Sequence, residues 1–413
     1  MNTGGYVLPM AVDTSVTVAE VDAAERVDRS VDELLRDHPP QSTDAFTFLG
    51  AQFDRGLAWV QFPAGEGGLG LSPRFQRTID ERLQAAGAPS AMWRNPLGHG
   101  MVAPTLITWG TPEQKQRLLR PLFTGEEIWC QLFSEPGAGS DFAGLAARGV
   151  RDGDEWVVNG QKVWTSLAHA SRWGLLVVRT DPEAVKHAGL TAFVVDMQAP
   201  GVDVRPLRQI TGDAEFNEVY FTDTRIPAEE MLGSPGDGWR VSLTTLMNER
   251  VSIGGVIPGR GSGVIAELVR VWNQLAPEQR DAARRDEVTR LWIRAEVLRL
   301  TNIRATVNRK LGDPGPEGSI GKVAAAALNK DVLDMAVTLL GPEGMLYGDY
   351  TMKRPRFSSD TDSVQKAFLR SRANSIEGGT SEVMLNILGE RVLGLPGDVR
   401  VDRDVPWSQV PRN

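Results

Sequence analysis

A carboxylate stands beside paired glycines near the C-terminus, in the stretch SIEGGTSEV. Glu377 is followed by Gly378 and Gly379, which permit a turn with positive φ or a close approach of the backbone to a ligand. Thr380 or Ser381 is suited to cap the helix predicted after them. From these residues alone, Glu377 is either a general base or an ordinary charge at a turn, and the second is the commoner role of a loop carboxylate near a cap.

A second stretch, LFSEPGAGSDFAG, combines hydroxyl side chains with glycines. Ser134 and Ser140 flank a turn-rich run whose backbone N–H groups are able to bind a flat heterocycle or a pyrophosphate. Further along, in GQKVWTSLAH, the indole of Trp164 could cover one face of such a ring, and Ser166 offers a hydroxyl donor. Taken singly, the stretch LFSEPGAGSDFAG is more typical of a plain turn-rich loop.

Composition limits the classes of function. The formal net charge of −8 argues against non-specific binding to nucleic acid or anionic membranes, since both need a basic surface. The single cysteine, Cys130, excludes an internal disulfide and a cysteine-based zinc site, and it suits a reducing compartment. The apolar runs fall short of a membrane span, no secretory signal is visible, and the four histidines lack metal spacing. We therefore expect a cytoplasmic protein without metal chemistry.

The elements that must position these residues follow a helix, strand, helix order. Helical periodicity dominates first, with Thr111 predicted to cap a helix that opens on Pro112. Short β-rich stretches follow, beginning with EWVVNGQKVWTS, in which Asn159-Gly160 predicts a hairpin turn. The predicted parts are a flexible N-terminus, a helical domain, a β domain, a second helical domain and a tail of loose coil, at residues 1–18, 19–128, 129–235, 236–396 and 397–413.

Several stretches, in this order along the chain, together resemble the acyl-CoA dehydrogenase family. SEPGAGSD is similar to the signature of that family, and NGQKVW with its hydroxyl pair, FNEVYFTDTRIP and GGTSE are similar to its later motifs. WGTPEQKQRLLRPLFTGE and ERVLGLP also match the family, so the resemblance covers roughly residues 20–396. Ordered motifs at such spacing indicate common descent.

The resemblance implies an α+β multidomain fold, with an N-terminal helical domain, a central β-barrel domain and a C-terminal four-helix bundle. FAD would lie between the last two. Family members remove an α proton and a β hydride from an acyl-CoA thioester to give the trans-2-enoyl product, and the electrons pass to an electron-transfer flavoprotein. Most are tetramers in which a neighbouring subunit contributes to the FAD site, so a homotetramer or a heterotetramer with a related chain is expected.

Site residues follow from the resemblance position by position. The implied contacts to FAD are Gln131, Leu132, Phe133, Ser134, Gly139, Ser140, Trp164, Ser166, Thr380 and Glu382, together with Thr338 and Gly341 toward the FAD of a neighbouring subunit. The implied contacts to the substrate are Ser140, Arg250 and Gly379. The chain departs from the family in one respect: the Arg-x-Phe-Gly segment that normally helps to bind the adenosine diphosphate of an adjacent FAD does not appear after Arg250.

The position of the base also differs between family members. Many carry the catalytic glutamate immediately before Gly-Thr-Ser, where this chain has Gly378. Others carry it on the first helix of the bundle directly before an arginine, and TTLMNERVSIGG has that arrangement at Glu249 and Arg250. We therefore predict that Glu249 is the base and that Glu377 is a turn residue. The main-chain N–H of Gly378 would help to hold the thioester oxygen.

Two alternatives to an active acyl-CoA dehydrogenase stay open. The missing Arg-x-Phe-Gly segment is compatible with an FAD-binding or inactive partner subunit in a mixed tetramer. The second alternative is a flavoenzyme of the same superfamily that acts on a non-CoA substrate. The sequence does not fix the acyl group, although a base on the helix favours branched, long or ring-bearing chains over short straight ones.

Overall fold

The computed structural model describes residues 18–90, 92–254, 257–310, 317–355, 363–399, 402 and 404–411, without the side chains of residues 18, 249–254, 309, 310 and 317. The predicted flexible N-terminus therefore lies almost entirely outside the described residues.

The helices and strands follow the predicted order. The helices are α1 (Val18–Asp37), α2 (Ala45–Asp54), α3 (Gln76–Ala85), α4 (Ala103–Trp109), α5 (Pro112–Thr124), α6 (Gly238–Gly254), α7 (Val264–Gln274), α8 (Ala282–Lys310), α9 (Glu317–Leu340), α10 (Val364–Ser371) and α11 (Ser381–Ile387). The strands are β1 (Trp129–Leu132), β2 (Arg148–Asp152), β3 (Glu155–Ser166), β4 (Trp173–Arg179), β5 (Leu190–Asp196), β6 (Val202–Pro206), β7 (Phe216–Pro227) and β8 (Met231–Leu232).

The chain divides into two compact units. The described residues of the first are 18–90 and 119–126, and those of the second are 92–118 and residues from 127 onward. In the first unit, α1 buries Val27, Val31 and Leu34, which lie on one helical face because their spacing is four and three residues. This stripe packs with buried side chains of α2 and α3 in one apolar core.

The predicted start of α5 is confirmed by its hydrogen bonds. The Gln114 N–H donates to Oγ1 of Thr111 at 3.2 Å, and the Thr111 N–H donates to Oε1 of Gln114 at 2.9 Å. This reciprocal pair is a capping box, and it satisfies two amide groups that the helix itself leaves unpaired. Pro112 follows the cap at the first position of the helix, as expected.

The β domain contains one sheet, in the order β6-β7-β3-β2-β4-β5-β8, with β1 added beside β4. The β domain predicted after the first helices is therefore confirmed as a sheet of short strands. The fold agrees with the predicted three-part architecture, but the expected closed barrel does not form among the described strands. Closure needs the two end strands to pair, whereas β8 is only two residues long and the chain turns into α6 shortly after it.

The hairpin predicted at Asn159-Gly160 is wrong, because β3 continues through these residues. The tight turn lies instead between β2 and β3, at Gly153, whose φ is 62°. A register shift interrupts the pairing of β3 with β7 at Gly160, and a Cβ there would lie 2.7 Å from the Cα of Ala147. Glycine is thus required for a close approach between backbones, not for a turn.

The C-terminal part is helical, as predicted, and α9 is its central helix, packed against α7, α8, α10 and α11. Its core includes Ile265, Leu268 and Val271 of α7 and Val332 and Ala336 of α9. Within the described segments, no helix combines the length and apolarity that a bilayer crossing requires. The tail is not loose coil around Trp407, because this residue is buried and makes a backbone hydrogen bond to the β domain, whereas residues 397–399 are exposed and irregular.

Replacing Gly160 by Ala should lower the free energy of unfolding by about 3 kcal/mol, because the new methyl group meets the backbone of Ala147 and the residue has a φ of 151°. Urea denaturation of the purified chain measures this change. Gly348→Ala is the matched control, since a Cβ there has open space within 4 Å and it should change stability by less than about 0.5 kcal/mol. Equal effects of the two substitutions would contradict the close approach.

Candidate functional site

The SEPGAGSD loop connects β1 to β2, and these two strands pair with successive parts of β4. Residues Trp129 to Leu132 of β1 pair in parallel with β4, and Arg148 at the start of β2 pairs with the end of the same strand. Both ends of the loop are therefore attached to one edge of β4. A loop at such a break presents backbone groups that no neighbouring strand occupies, which is where a ligand is able to reach them.

A buried ion pair fixes the first half of this loop. Nζ of Lys162, with no exposed surface, donates to Oε1 of Glu135 at 2.8 Å and to the Phe133 carbonyl at 3.0 Å. The Glu135 carboxylate also accepts the N–H groups of Ala146 and Ala147 at 2.6 and 2.9 Å. Burial lowers the pKa of Lys162, and the attraction of Glu135 opposes that shift. One carboxylate thus joins both ends of the loop.

The outer part of the loop is open. Glu135 and Ala138 exchange two backbone hydrogen bonds of 3.0 Å, which close a tight turn. Beyond the turn, Gly139 and Ser140 are exposed, and a Cβ at Gly139 would meet nothing within 4 Å. Ser134, at the start of the loop, is partly buried. The outer turn of the loop therefore has open space and exposed polar groups.

Trp164 lies beside this loop in a strained conformation. Its φ is 60°, within a register shift between β3 and β7, and its side chain is 58% exposed. Such a φ is rare for a bulky residue and is found where surrounding structure and function demand it. The N–H of Val163 donates to the Ser134 carbonyl at 2.9 Å, which joins Trp164 to the loop. Ser166 lies opposite Phe216 on β7.

Aromatic and cationic contacts bring the GGTS turn to the same place. The rings of Trp164 and Phe216 pack edge to face, with centroids 6.0 Å apart, and the Arg370 guanidinium lies 6.0 Å from the Phe216 centroid. Arg370 binds both carboxylate oxygens of Glu377 at 2.7 and 3.2 Å, and Asn374 donates to the same carboxylate at 2.8 Å. Burial lowers the pKa of Arg370, but Glu377 outweighs this effect and the pKa is raised.

These bonds support the prediction that Glu377 is a turn residue. A carboxylate held by a guanidinium and an amide is not free to approach a substrate. The turn itself uses positive φ angles of 63° at Gly378 and 89° at Gly379. Thr380 caps α11 through a 3.1 Å hydrogen bond from the Val383 N–H, as the sequence predicts.

Helix α6 carries the predicted base, but the side chains of Glu249 and Arg250 lie outside the described residues. The preceding turns of α6 are fixed by hydroxyl contacts: Thr245 bonds Thr105 of α4 at 2.9 Å, and Nε1 of Trp109 donates to Thr244 at 2.9 Å. Position 249 follows the buried Thr245 by four residues, on the same face of the helix.

The remaining predicted positions are dispersed. Leu132 and Phe133 are buried in or next to β1, and Gln131 is partly buried there. Glu382 is exposed in the first turn of α11. Thr338 and Gly341 are exposed at the end of α9, and their expected contact with a neighbouring subunit stays a prediction.

Sequence reasoning missed the roles of Lys162, Phe216 and Arg370. Lys162 lies within the quoted NGQKVW motif, yet its partner is 27 residues away and no local spacing indicates the pair. Arg370 and Glu377 are seven residues apart across the end of α10. A helical period does not connect them, because the helix ends between them.

Comparison with known proteins identifies the family. Models of the N-terminal, middle and C-terminal domains of acyl-CoA dehydrogenase match residues 18–126, 130–224 and 236–393. Acyl-CoA dehydrogenase IpdE1 of Mycobacterium tuberculosis is 39% identical over 348 residues, which are 84% of this chain and 86% of that protein. The chain belongs to the acyl-CoA dehydrogenase family. It is an oxidoreductase of a flavin-dependent family.

Solved structures agree with this assignment of the acyl-CoA dehydrogenase fold. The ChsE4-ChsE5 complex from Mycobacterium tuberculosis is similar at a TM-score of 0.67 and 27% identity, covering 94% of this chain and 100% of that one. The Tcur3481-Tcur3483 steroid ACAD is similar at a TM-score of 0.69 and 25% identity, with the same coverage of both chains. Both similarities extend over all parts of the fold.

The residues of this chain fit a flavin. A flat ring needs an aromatic wall, open space and nearby hydrogen-bonding groups, and the exposed indole of Trp164 supplies the wall. Ser134 and Ser166 supply hydroxyl groups, and the open side of Gly139 supplies room. No group of three or more metal-binding side chains forms among the described residues.

Replacing Lys162 by Met should lower the free energy of unfolding by about 3–5 kcal/mol, because Glu135 then stays buried without a positive partner. Urea denaturation measures the loss. Arg77→Met breaks an exposed ion pair with Glu81 and serves as the control, with an expected loss below about 1 kcal/mol. A loss as small as that of the control would show that the buried pair does not hold the loop.

Proposed function

We propose that this chain catalyses FAD-dependent α,β-dehydrogenation of an acyl-CoA thioester to the trans-2-enoyl-CoA. The observation that carries the proposal is the strained, exposed Trp164, which is tied to the SEPGAGSD loop on one side and through Phe216 and Arg370 to the GGTS turn on the other. Strained residues cluster at ligand-binding sites, and an exposed aromatic face is suited to stack on a flat ring.

FAD would be held by the residues around this wall. Ser134 and Ser166 would bond the edge of the ring, the backbone of Gly139 and Ser140 would bond its phosphates or ribityl chain, and Thr380 would approach it from the GGTS turn. Bound FAD supplies the acceptor for the β hydride. The protein supplies the fixed geometry, because the Glu135–Lys162 pair holds the loop before any ligand arrives.

Glu249 is the proposed base. An α C–H is a weak acid, so its removal needs a carboxylate that is shielded from water and placed beside a polarised thioester. Helix α6 is anchored at Thr244 and Thr245, just before this position, and a fixed helix places a base more accurately than a loop does. Glu377 is engaged by Arg370, which leaves Glu249 as the better candidate.

Backbone groups of the GGTS turn would stabilise the developing negative charge. Positive φ at Gly378 and Gly379 turns successive N–H groups in a way that side-chain-bearing residues seldom allow. The Gly378 N–H would donate to the thioester oxygen, with Gly379, Arg250 and Ser140 contacting the rest of the substrate. Glycine at position 378 serves this purpose without a carboxylate.

Glu249→Gln should retain the flavin but slow its anaerobic reduction by acyl-CoA at least about 10³-fold, because the amide is not a base. Stopped-flow absorbance of the flavin measures the rate. Glu377→Gln is the control and should stay within a few-fold of the unchanged chain, since its carboxylate is bound to Arg370. The reverse pattern would place the base in the GGTS turn.

A partner subunit in a mixed assembly is the second candidate function. Two of the similar structures carry pairs of chain names, ChsE4-ChsE5 and Tcur3481-Tcur3483. Helix α8 exposes an apolar stripe at Ile293, Val297, Leu300 and Val307, whose spacing of four, three and seven residues suits packing against another helix. A colourless chain that binds flavin only with a second dehydrogenase-like chain would favour this function over a homotetramer.

The acyl group we propose is bulky and ring-bearing. One similar structure is named a steroid ACAD, and the base on a helix agrees with such substrates. Electrons would leave through an electron-transfer flavoprotein in the cytoplasm. Flavin reduction by a panel of acyl-CoAs tests the acyl group, and faster reduction by short straight chains would contradict it.

A further inference from the structure

The described part of the C-terminal tail packs on the β domain. The Trp407 N–H donates to the Ala184 carbonyl at 3.0 Å, and the Ser408 N–H donates to the Pro182 carbonyl at 2.9 Å. Pro406 forms a bridge with Val185, and the Trp407 side chain is only 8% exposed. The tail therefore occupies a defined place beside the loop of residues 181–188.

An ionic contact connects the tail to the SEPGAGSD loop. Nζ of Lys186 lies 2.6 Å from the Asp402 carboxylate of the tail and 2.7 Å from the Asp141 carboxylate, which ends the SEPGAGSD string. The Lys186 side chain is 10% exposed and that of Asp402 is 29% exposed, whereas the Asp141 side chain is 64% exposed, so water screens the contact to Asp141 more strongly than the contact to Asp402. One ammonium group thus bridges the tail and the loop, directly next to Ser140.

A second contact runs through Arg179, which is buried. Its guanidinium donates to the carbonyls of Ala143 at 2.7 Å and Leu145 at 3.1 Å, just after the loop, and to the Lys186 carbonyl at 3.1 Å. The ring of Trp407 covers this guanidinium at 4.1 Å. The tail therefore shields the hydrogen bonds that hold the end of the loop, because the indole keeps water from the guanidinium on that side.

We propose that Lys186 and Arg179 are positioning residues through which the C-terminal tail holds the outer half of the SEPGAGSD loop in the conformation that binds the cofactor. Glu135 and Lys162 fix the inner half. The outer half, from Gly139 to Asp141, and the segment that follows it to Leu145 depend on the tail. What the loop binds rests on the proposed function, whereas its dependence on the tail rests on these contacts alone.

Loss of the tail contacts should loosen the loop locally. An ordered loop binds a ligand more tightly than a mobile one, because ordering that accompanies binding lowers affinity. The core of the sheet has its own buried contacts, so the stability of the sheet should not depend on the tail. Loss of the tail contacts should therefore lower the affinity for flavin, through Gly139 and Ser140. It should not change the rate of hydride transfer.

The test is hydrogen exchange of the full-length chain, with and without FAD. Asp402→Ala and Trp407→Ala should each speed exchange in peptides covering residues 139–146 by about tenfold and weaken FAD binding by a similar factor, with exchange in β4 and β5 unchanged. Asp404→Ala is the matched control, since Asp404 is an exposed carboxylate of the same tail, and it should change neither quantity.

Substitutions at Lys186 separate positioning from general stability. Lys186→Met should reproduce the Asp402→Ala effect, and Lys186→Arg should restore slow exchange, because a guanidinium also bridges two carboxylates. Unchanged loop exchange in Asp402→Ala and Lys186→Met, or faster exchange throughout the sheet, would overturn the proposal. Faster loop exchange in a chain that binds no flavin would instead refute the proposed function and leave the positioning role standing.

Discussion

The ion pair between Lys162 and Glu135 is the contact on which the candidate site depends. It places a charge in the core of the β domain, and burial of this kind is tolerated because the carboxylate also receives two backbone N–H groups. The same lysine reaches the Phe133 carbonyl. The pair therefore converts a turn-rich segment into a rigid platform, and Ser134 takes its position from it.

The site is assembled from three distant parts of the sequence by short contacts. Val163 bonds Ser134, Trp164 packs on Phe216, and Phe216 lies under Arg370, which holds Glu377. Each contact is modest in energy, but together they determine which side chains face the same space. Membership of the family indicates the type of reaction. The contacts described here hold the candidate site in place before a ligand binds.

Sequence patterns predicted the order of helices and strands well where local periodicity and caps decide it, as at the start of α5. The predictions were wrong where the conformation of a residue depends on a contact with a residue far away in the sequence. The Asn159-Gly160 pair suggested a turn, yet Gly160 is needed because Ala147 lies against it. The sequence of the tail predicted loose coil, but Trp407 packs on Arg179, which is far away in the sequence. The closed barrel was expected from the resemblance to the family, but the sheet stays open at the short strand β8.

The attachment of both ends of the SEPGAGSD loop to one strand has an evolutionary consequence. Because β1 and β2 are anchored along the same edge of β4, the span that the intervening segment must cross is set by the sheet. Relatives should therefore keep the length of this segment. An inserted residue would shift Asp141 away from Lys186, which lies in the segment before β5.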